Sequence, residues 1–368
     1  MSNTYNITII AGARPNFMKI APIIHAIVKS KNEGHAIDYR LVHTGQHYDK
    51  NMSGSFFEQL KIPVPHTNLE CSGGTQAEQT AAILVAFEKE LMANPADLVL
   101  VVGDVTSTMA CALVAQKLHT KVAHVEGGIR SNDWTMPEEI NRLVTDSITN
   151  YFFTTSETAN KTLRASGVKE EAIFYVGNTM IDTLLKQRPN FKAPKIWDEL
   201  NLKEKQYIVM TLHRPANVDE ESQLKDMIAE IINHTKDLPL IFPVHPRTAK
   251  ILERLQISHS RLHTVEPLGY LEFNFLVERA KAVITDSGGI TEEASVMLVP
   301  CMTLRDNTER PETMTLGTNE LVGTNPKNIQ KYLDKLFAGQ WKTGQDIPLW
   351  DGKTAERIIA ELIILSDA

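Results

Sequence analysis

Cysteine is scarce in this 368-residue chain: only Cys71, Cys111 and Cys301 occur, far apart and in no CxxC pair. That spacing excludes a disulfide framework, carries no zinc signature and fits a reducing cytoplasm. No HExxH or other clustered ligand spacing is present, so no metal is expected. The chain also lacks the GxGxxG and GxxxxGKS loops, the fingerprints of dinucleotide and P-loop sites. No apolar run approaches the ~20 residues of a membrane-spanning helix, so no membrane partner is expected. The opening stretch MSNTYNITIIAGARPNF has no basic leader and runs straight into Gly12, Arg14 and Pro15, unlike a signal peptide. Positive charge is in deficit, with 38 Lys and Arg against 45 Asp and Glu and a net charge of −7. A nucleic-acid partner would require a basic stripe, and none is expected here. A local basic pocket for one phosphorylated small molecule remains compatible with that balance. Short repeats and low-complexity segments are absent as well.

What the chain does have is an apolar fraction of 42%, enough for a substantial core. Short β-rich runs alternate with helical periodicity, which defines an α/β class. In the first half, strands are predicted at 6–10, 38–43, 98–102, 121–125 and 151–154, and helices at 18–30, 76–91, 107–118 and 138–149. The run LVLVV at 98–102 is continuous, as expected at the centre of a parallel sheet covered on both faces. The pattern restarts with strands at 207–212, 240–244, 282–285 and 301–304, and helices at 222–234, 271–280, 289–297, 328–337 and 354–365. The stretch 186–201, with two prolines and mixed charge, reads as a linker or hinge approach. The expectation is two Rossmann-like, doubly wound domains facing a cleft, with ligand-binding residues just after the strands.

Several strand ends carry such residues. The turn Gly12-Ala13-Arg14-Pro15-Asn16-Phe17-Met18-Lys19 opens a helix with two cations, a site type that favours anions. Asp104 follows an apolar strand directly, either as a helix N-cap or as a functional acid. Glu126 ends the next strand beside Gly127-Gly128, and two acids at adjacent strand ends can shift each other's pKa. Pro137-Glu138-Glu139 is helix-start chemistry or a catalytic carboxylate, and Glu138 is four residues from Arg142, the spacing of a surface pair. His213 and His245 each follow a second-half strand, as structural or as ligand-facing histidines. Thr285-Asp286-Ser287-Gly288-Gly289-Ile290-Thr291-Glu292-Glu293 is the strongest local signal: a strand ends, Ser-Gly-Gly opens a helix, and its amides suit a phosphate. Glu293, one turn further in, suits ribose hydroxyls, and Arg305 and Arg310 lie in a polar loop downstream.

Together, the segments GARPNFMK, TGQHYDKNM, GDVTST, HVEGGIR, PEEINR, LHRPAN, VHPR, TDSGGITEE and RDNTERPET resemble the non-hydrolysing UDP-N-acetylglucosamine 2-epimerase family, in family order. The resemblance implies a glycosyltransferase-B-type fold, a deep cleft and a homodimer. It implies an N-terminal Rossmann-like domain over 1–180, joined by a C-terminal helix at 354–368, and a UDP-binding domain over 181–353. By motif, Asp104, Glu126, Glu138 and His213 resemble the family's catalytic set. Arg14, Lys19, Arg142, His245, Ser287, Gly288, Gly289, Glu293 and Arg310 match substrate-binding positions. Phe273 matches a residue near the uracil or is a core aromatic. Gln46 and His47, with His245 nearby, match the region where many bacterial members hold a second, activating UDP-sugar. One departure is Gly127-Gly128-Ile129 where the family often has Ala-Gly-Leu.

The reaction that this implies needs no cofactor. The C2 proton of a UDP-sugar has no neighbouring carbonyl, so direct abstraction is very difficult. If UDP leaves, the anomeric carbon gains oxocarbenium character and loss of the C2 proton gives a 2-acetamidoglucal. Proton return to the opposite face and re-addition of UDP then invert C2. Cations must hold the departing diphosphate, and carboxylates must move protons or stabilise the cation. Two alternatives share the resemblance: a 2-epimerase of a UDP-2,3-diacetamido-uronic acid, and a UDP-sugar glycosyltransferase.

Overall fold

The computed structural model describes residues 4–45, 59–214, 217, 220–244 and 246–366, apart from the side chains of Arg14, Pro246 and Arg247. The chain divides into two units, Met1–Lys186 with Pro348–Ala368, and Gln187–Ile347.

The first unit runs β1 (Tyr5–Ala11), α1 (Arg14–Asn32), β2 (Ile37–His43), β3 (Thr67–Asn68), α2 (Gln76–Ala93), β4 (Leu98–Val102), α3 (Thr106–Lys117), β5 (Lys121–Val125), α4 (Pro137–Ser147), β6 (Tyr151–Thr154), α5 (Glu157–Ala165), β7 (Ile173–Tyr175) and α6 (Thr179–Gln187). The second holds α7 (Lys195–Glu199), β8 (Ile208–Thr211), α8 (Glu221–His234), β9 (Leu240–Pro243), α9 (Pro246–Arg254), β10 (Leu262–Val265), α10 (Tyr270–Arg279), β11 (Ala282–Thr285), α11 (Gly288–Val296), β12 (Cys301–Thr303), α12 (Pro311–Thr315), β13 (Asn319–Leu321) and α13 (Ile329–Phe337). The last helix, α14 (Thr354–Ser366), belongs to the first unit. Among the described residues no helix is long and apolar enough to cross a membrane.

Each unit is built on one all-parallel sheet. The strand orders are β3-β2-β1-β4-β5-β6-β7 and β10-β9-β8-β11-β12-β13. In both, the order reverses beside the unit's first strand, between β1 and β4 and between β8 and β11. Such a switch point opens a crevice at the carboxyl edge of the sheet, where ligands bind in doubly wound folds. The two cores follow from the sequence pattern. All five residues of β4 are buried, as its apolar run requires of a strand covered on both faces. In the second unit Met210, Phe242, Ile284 and Met302 from four strands pack against Leu224, Ile228 and Ile231 of α8.

Two contacts explain how α6 and α14 join the first unit. Pro22 inside α1 has no N–H, so the Met18 carbonyl four residues back loses its helical donor. Thr183 Oγ1 on α6 donates to that carbonyl at 2.6 Å, satisfying it. One residue away, Asp182 caps α14, accepting from the amides of Thr354 (3.1 Å) and Ala355 (2.7 Å). The stretch 186–201, read as a linker, is largely folded. It contains α7, whose Trp197 packs edge-on against Tyr207 (5.9 Å) and Phe275 (5.1 Å) of the second unit. A single indole with two aromatic neighbours outweighs the Pro-rich, mixed-charge composition.

Candidate active site

In the first unit the polar side chains gather at the ends of β4 and β5. Asp104 does not cap α3: the N-cap is Val105, with no side-chain cap bond. Instead Arg142 Nη2 of α4 donates to Asp104 Oδ2 at 2.5 Å, and Asn141 Nδ2 donates to the Asp104 carbonyl at 2.9 Å. Asp104 keeps partial exposure while Arg142 is buried. The guanidinium is held from behind by Glu139 Oε2 at 2.7 Å. Glu139 also accepts from the Ser131 and Asn132 amides (2.9 and 3.0 Å) and Ser131 Oγ (3.0 Å). Burial raises the Glu139 pKa, and these four donors overcome that to leave it below its usual value.

This corrects the sequence expectation that Arg142 pairs with Glu138 on a surface face. The buried face of α4 carries Glu139 and Arg142, three residues apart, and Glu138 is exposed in the first turn. The i, i+4 spacing does not distinguish these two acids, because i+3 is an equally good neighbour on a helix.

Glu126 is buried, and its backbone has φ +73°, a left-handed conformation that a residue with a Cβ seldom adopts. Lys19 Nζ, from α1, meets Glu126 Oε2 at 2.8 Å, both side chains being almost fully buried. A Cβ added to Gly103 would lie 2.8 Å from Lys19 Nζ, so glycine before Asp104 makes room for the ammonium. Lys19 thus touches the ends of both β4 and β5. Beneath it, His124 bridges Asp146 (Nδ1, 2.7 Å) and the Gly103 carbonyl (Nε2, 2.8 Å). Asp146 also accepts from Arg130 Nη1 (2.6 Å) and the Gly128 amide (3.0 Å). Burial pushes Asp146 up, but its bonds to His124 and Arg130 hold it below the usual carboxylate value.

Gly128 (φ +83°) is required by packing: a Cβ there would fall 2.6 Å from the Ala159 carbonyl. The β1–α1 turn is also self-contained. Asn16 Oδ1 accepts from the Gly12 and Ala13 amides (3.0 and 2.9 Å), so these two donors face Asn16 rather than an anion. Arg14 begins α1, and its side chain lies outside the described atoms.

In the second unit the residues gather at β8, β11 and the loop after β12. Asp286 is fully buried and accepts from the amides of His213 (3.0 Å) and Arg214 (2.9 Å) and from Asn217 Nδ2 (3.0 Å). His213 Nδ1 lies 2.6 Å from Asp286 Oδ1. Burial pushes Asp286 up, and these donors, His213 foremost, bring it below its usual value. The carboxylate fixes the ring through Nδ1, so Nε2 is the nitrogen turned outward on a side chain that is 59% exposed.

Ser287 is the N-cap of α11 and makes no side-chain cap bond. Among the described residues, a Cβ on Gly288 would meet only Glu309 Oε2, at 3.9 Å, so none of them crowds that turn. Gly289 follows in the first turn of the same helix. Arg310 donates from Nε to buried Glu292, and Arg305 makes a two-pronged pair with Glu309 (2.7 Å each). Glu293 is also buried; it accepts from Tyr270 Oη at 2.7 Å. Phe273 on α10 is half-buried. Gln46, His47 and His245 lie outside the described residues. Among the described residues no three His, Cys, Asp or Glu side chains converge as a metal site would require.

Sequence reading missed the residues that hold these groups in place. Asp146 and Tyr270 were not among the candidate residues, and Glu139, though inside PEEINR, was passed over for Glu138. Asp286 was visible at a strand end, but its service to His213 joins residues 73 apart in the chain.

Two Rossmann-like units of this strand order, each with its polar residues at the carboxyl edge, make this an α/β protein of the glycosyltransferase-B type. The family model for UDP-N-acetylglucosamine 2-epimerase matches residues 29–363. The chain belongs to that family. It is 42% identical over 372 residues to the UDP-N-acetylglucosamine 2-epimerase of Methanocaldococcus jannaschii, covering 96% of this chain and 97% of that one. It is 38% identical over 360 residues to a UDP-2,3-diacetamido-2,3-dideoxy-D-glucuronate 2-epimerase of Pseudomonas aeruginosa, covering 96% and 98%. The crystal structure of the M. jannaschii enzyme in complex with UDP-GlcNAc and UDP superposes with a TM-score of 0.86 at 41% identity, covering 98% of this chain and 99% of that one.

Proposed function

We propose that this enzyme inverts C2 of UDP-N-acetylglucosamine to give UDP-N-acetylmannosamine without net hydrolysis. The observation that carries the reading is the pair of strand-end acids, Asp104 and Glu126, each held by its own buried cation, Arg142 and Lys19. Proton transfer at carbon requires carboxylates fixed in position, and an ion pair from behind fixes them.

In this reading the anomeric C–O bond breaks and its electron pair leaves with UDP. Asp104, Glu126 or Glu138 takes the C2 proton, leaving a 2-acetamidoglucal. A second of these acids returns a proton to the opposite face of C2, and UDP adds back at C1. Glu126 serves alternatively to stabilise the cationic intermediate. His213 and Arg310, with the turn at Ser287, Gly288 and Gly289, hold the diphosphate. Arg14 and Lys19 add positive charge on the first unit. Glu293 takes the ribose hydroxyls, and Phe273 lies along the uracil. Arg142 acts on the substrate through Asp104. Gln46, His47 and His245 are assigned to the sugar nucleotide's surroundings, including a second, regulatory molecule.

We further read the enzyme as a cytoplasmic homodimer that supplies cell-surface polysaccharide synthesis. Three buried, unbridged thiols support a reducing compartment, and family resemblance supports the dimer.

Incubation with UDP-GlcNAc in D₂O tests the reaction. Deuterium is expected at C2 of both epimers, with the UDP linkage intact. Recovery of unlabelled substrate alone would refute it. A second reading, favoured by the 38% identity to the P. aeruginosa enzyme, is epimerisation of a UDP-2,3-diacetamido-uronic acid. Running both sugars under the same conditions separates the two by which one acquires label.

A further inference from the structure

Helix α10 carries Tyr270 and Asn274 four residues apart, on one face, and both are buried. Tyr270 Oη donates to Glu293 Oε1 at 2.7 Å, joining α10 to the second turn of α11. Glu293 is only 4% exposed. Burial pushes its carboxyl up to about 7, with Glu292 adding to the rise and the Tyr270 hydroxyl and nearby Asn274 amide opposing it. Burial, and then the Glu293 charge, push the Tyr270 phenol well above its ordinary value. Its O–H therefore stays a donor across the neutral range. Phe273, between these two polar residues, is half-buried on the same helix.

A glutamate has three side-chain torsions to fix, and ordering them costs entropy when a ligand must do it. A phenol bonded to one oxygen of the carboxyl does that ordering in advance. The Tyr270 ring is locked by its own burial, so it is a rigid post rather than a flexible donor.

We propose that Tyr270 is a positioning residue for the nucleotide: it holds the Glu293 carboxyl in the orientation that takes the ribose hydroxyls. Helix α10 then serves the nucleoside twice, through Phe273 at the base and through Tyr270 and Glu293 at the sugar. The inference rests on the assignment of Glu293 to the ribose made above.

The test compares UDP with 2′-deoxy-UDP by calorimetry in the wild type, Tyr270→Phe and Glu293→Gln, together with kcat and KM for UDP-GlcNAc. The wild type is expected to prefer UDP, and Glu293→Gln to lose that preference. Tyr270→Phe is expected to bind UDP about tenfold more weakly, the scale of one hydrogen bond. It should lose most of the preference, with KM raised and kcat within about twofold. The ratio of the two affinities is insensitive to any unfolded fraction, which lowers both alike. If Tyr270→Phe keeps the full preference while Glu293→Gln loses it, the positioning role fails and the ribose assignment stands. If Glu293→Gln keeps the preference, the ribose assignment fails and the proposal falls with it. A fall in kcat as large as the rise in KM would also overturn the proposal, since it marks general disruption of the site.

Discussion

Replacing Glu312 by Gln should remove its share, about half, of the pH dependence of stability that Glu312 and Glu293 together give the wild type between about pH 5 and 7. Glu312 is in the first turn of α12 and is 7% exposed. Neither of its side-chain oxygens has a hydrogen-bond partner on another described residue. Burial pushes its carboxyl up to about 7, with Glu292 adding to the rise and the Arg310 charge opposing it. The folded state therefore holds a proton that the unfolded chain, with its carboxyl near 4.5, has already released. Stability must then fall as pH rises from 4.5 to about 7, and level off above that. At about 1.36 kcal/mol per pH unit, the full fall is about 3 kcal/mol. That corresponds to roughly 6–12 °C in Tm for a unit of this size. A glutamine brings its own cost, because a buried amide without partners is penalised by about 1–3 kcal/mol, but that cost does not vary with pH. The quantity to measure is consequently the difference between the wild-type and Glu312→Gln melting curves at pH 5, 6, 7 and 8. The variant should gain on the wild type by about 3 kcal/mol between pH 5 and pH 8. Parallel curves, within about 0.5 kcal/mol, would show that the Glu312 carboxyl ionises normally, and the burial argument would be wrong.

Two further outcomes follow from the first unit. Lys19→Met should destabilise the protein by about 3–5 kcal/mol, because it leaves the Glu126 carboxylate buried without its cation. The Lys19→Met/Glu126→Gln double variant should recover much of that loss in the same melt, and a double variant no more stable than the single would exclude the charge explanation. Asp104→Asn, Glu126→Gln and Glu138→Gln should each slow deuterium incorporation at C2 by about 10²–10⁴. Near-normal incorporation in any one of them removes that residue from the proton-handling set.

The fold was legible wherever the local signal was strong. The run at 98–102 is β4 to the residue, and the strands at 121–125, 151–154 and 282–285 also carry their predicted bounds. These are short, mainly apolar stretches inside parallel sheets, with all or nearly all of their residues buried, so local composition suffices to read them. The edge strands went unread. β7, β10 and β13 have only three or four residues each, mostly half-exposed, and their pairing comes from the neighbouring strand rather than from their own apolarity. Helix α5 was unread for a related reason: the sequence ETANKTLRA buries only Ala159, Asn160 and Leu163, and its start is set by the Ser156 side chain accepting from the Ala159 amide at 3.2 Å.

The candidate site divides along the same line. Strand-end position pointed to Asp104, Glu126, His213 and the Ser287 turn, because the carboxyl edge of a parallel sheet is a property of topology and topology was readable. Motif resemblance also named Lys19 and Arg142, but as substrate-binding residues; which acid each one holds was not legible. Lys19 and Glu126 are 107 residues apart, Arg142 and Asp104 38 apart, and His213 and Asp286 73 apart. No local spacing encodes such pairs. Where a local rule did apply, it chose the wrong glutamate, pairing Arg142 with Glu138 when burial favours Glu139. The physical reason is general: a buried cation pairs with whichever acid shares its solvent-excluded space, and burial is a property of the folded chain. Motifs therefore locate the acids and cations of this site, while which cation fixes which acid must be found in three dimensions.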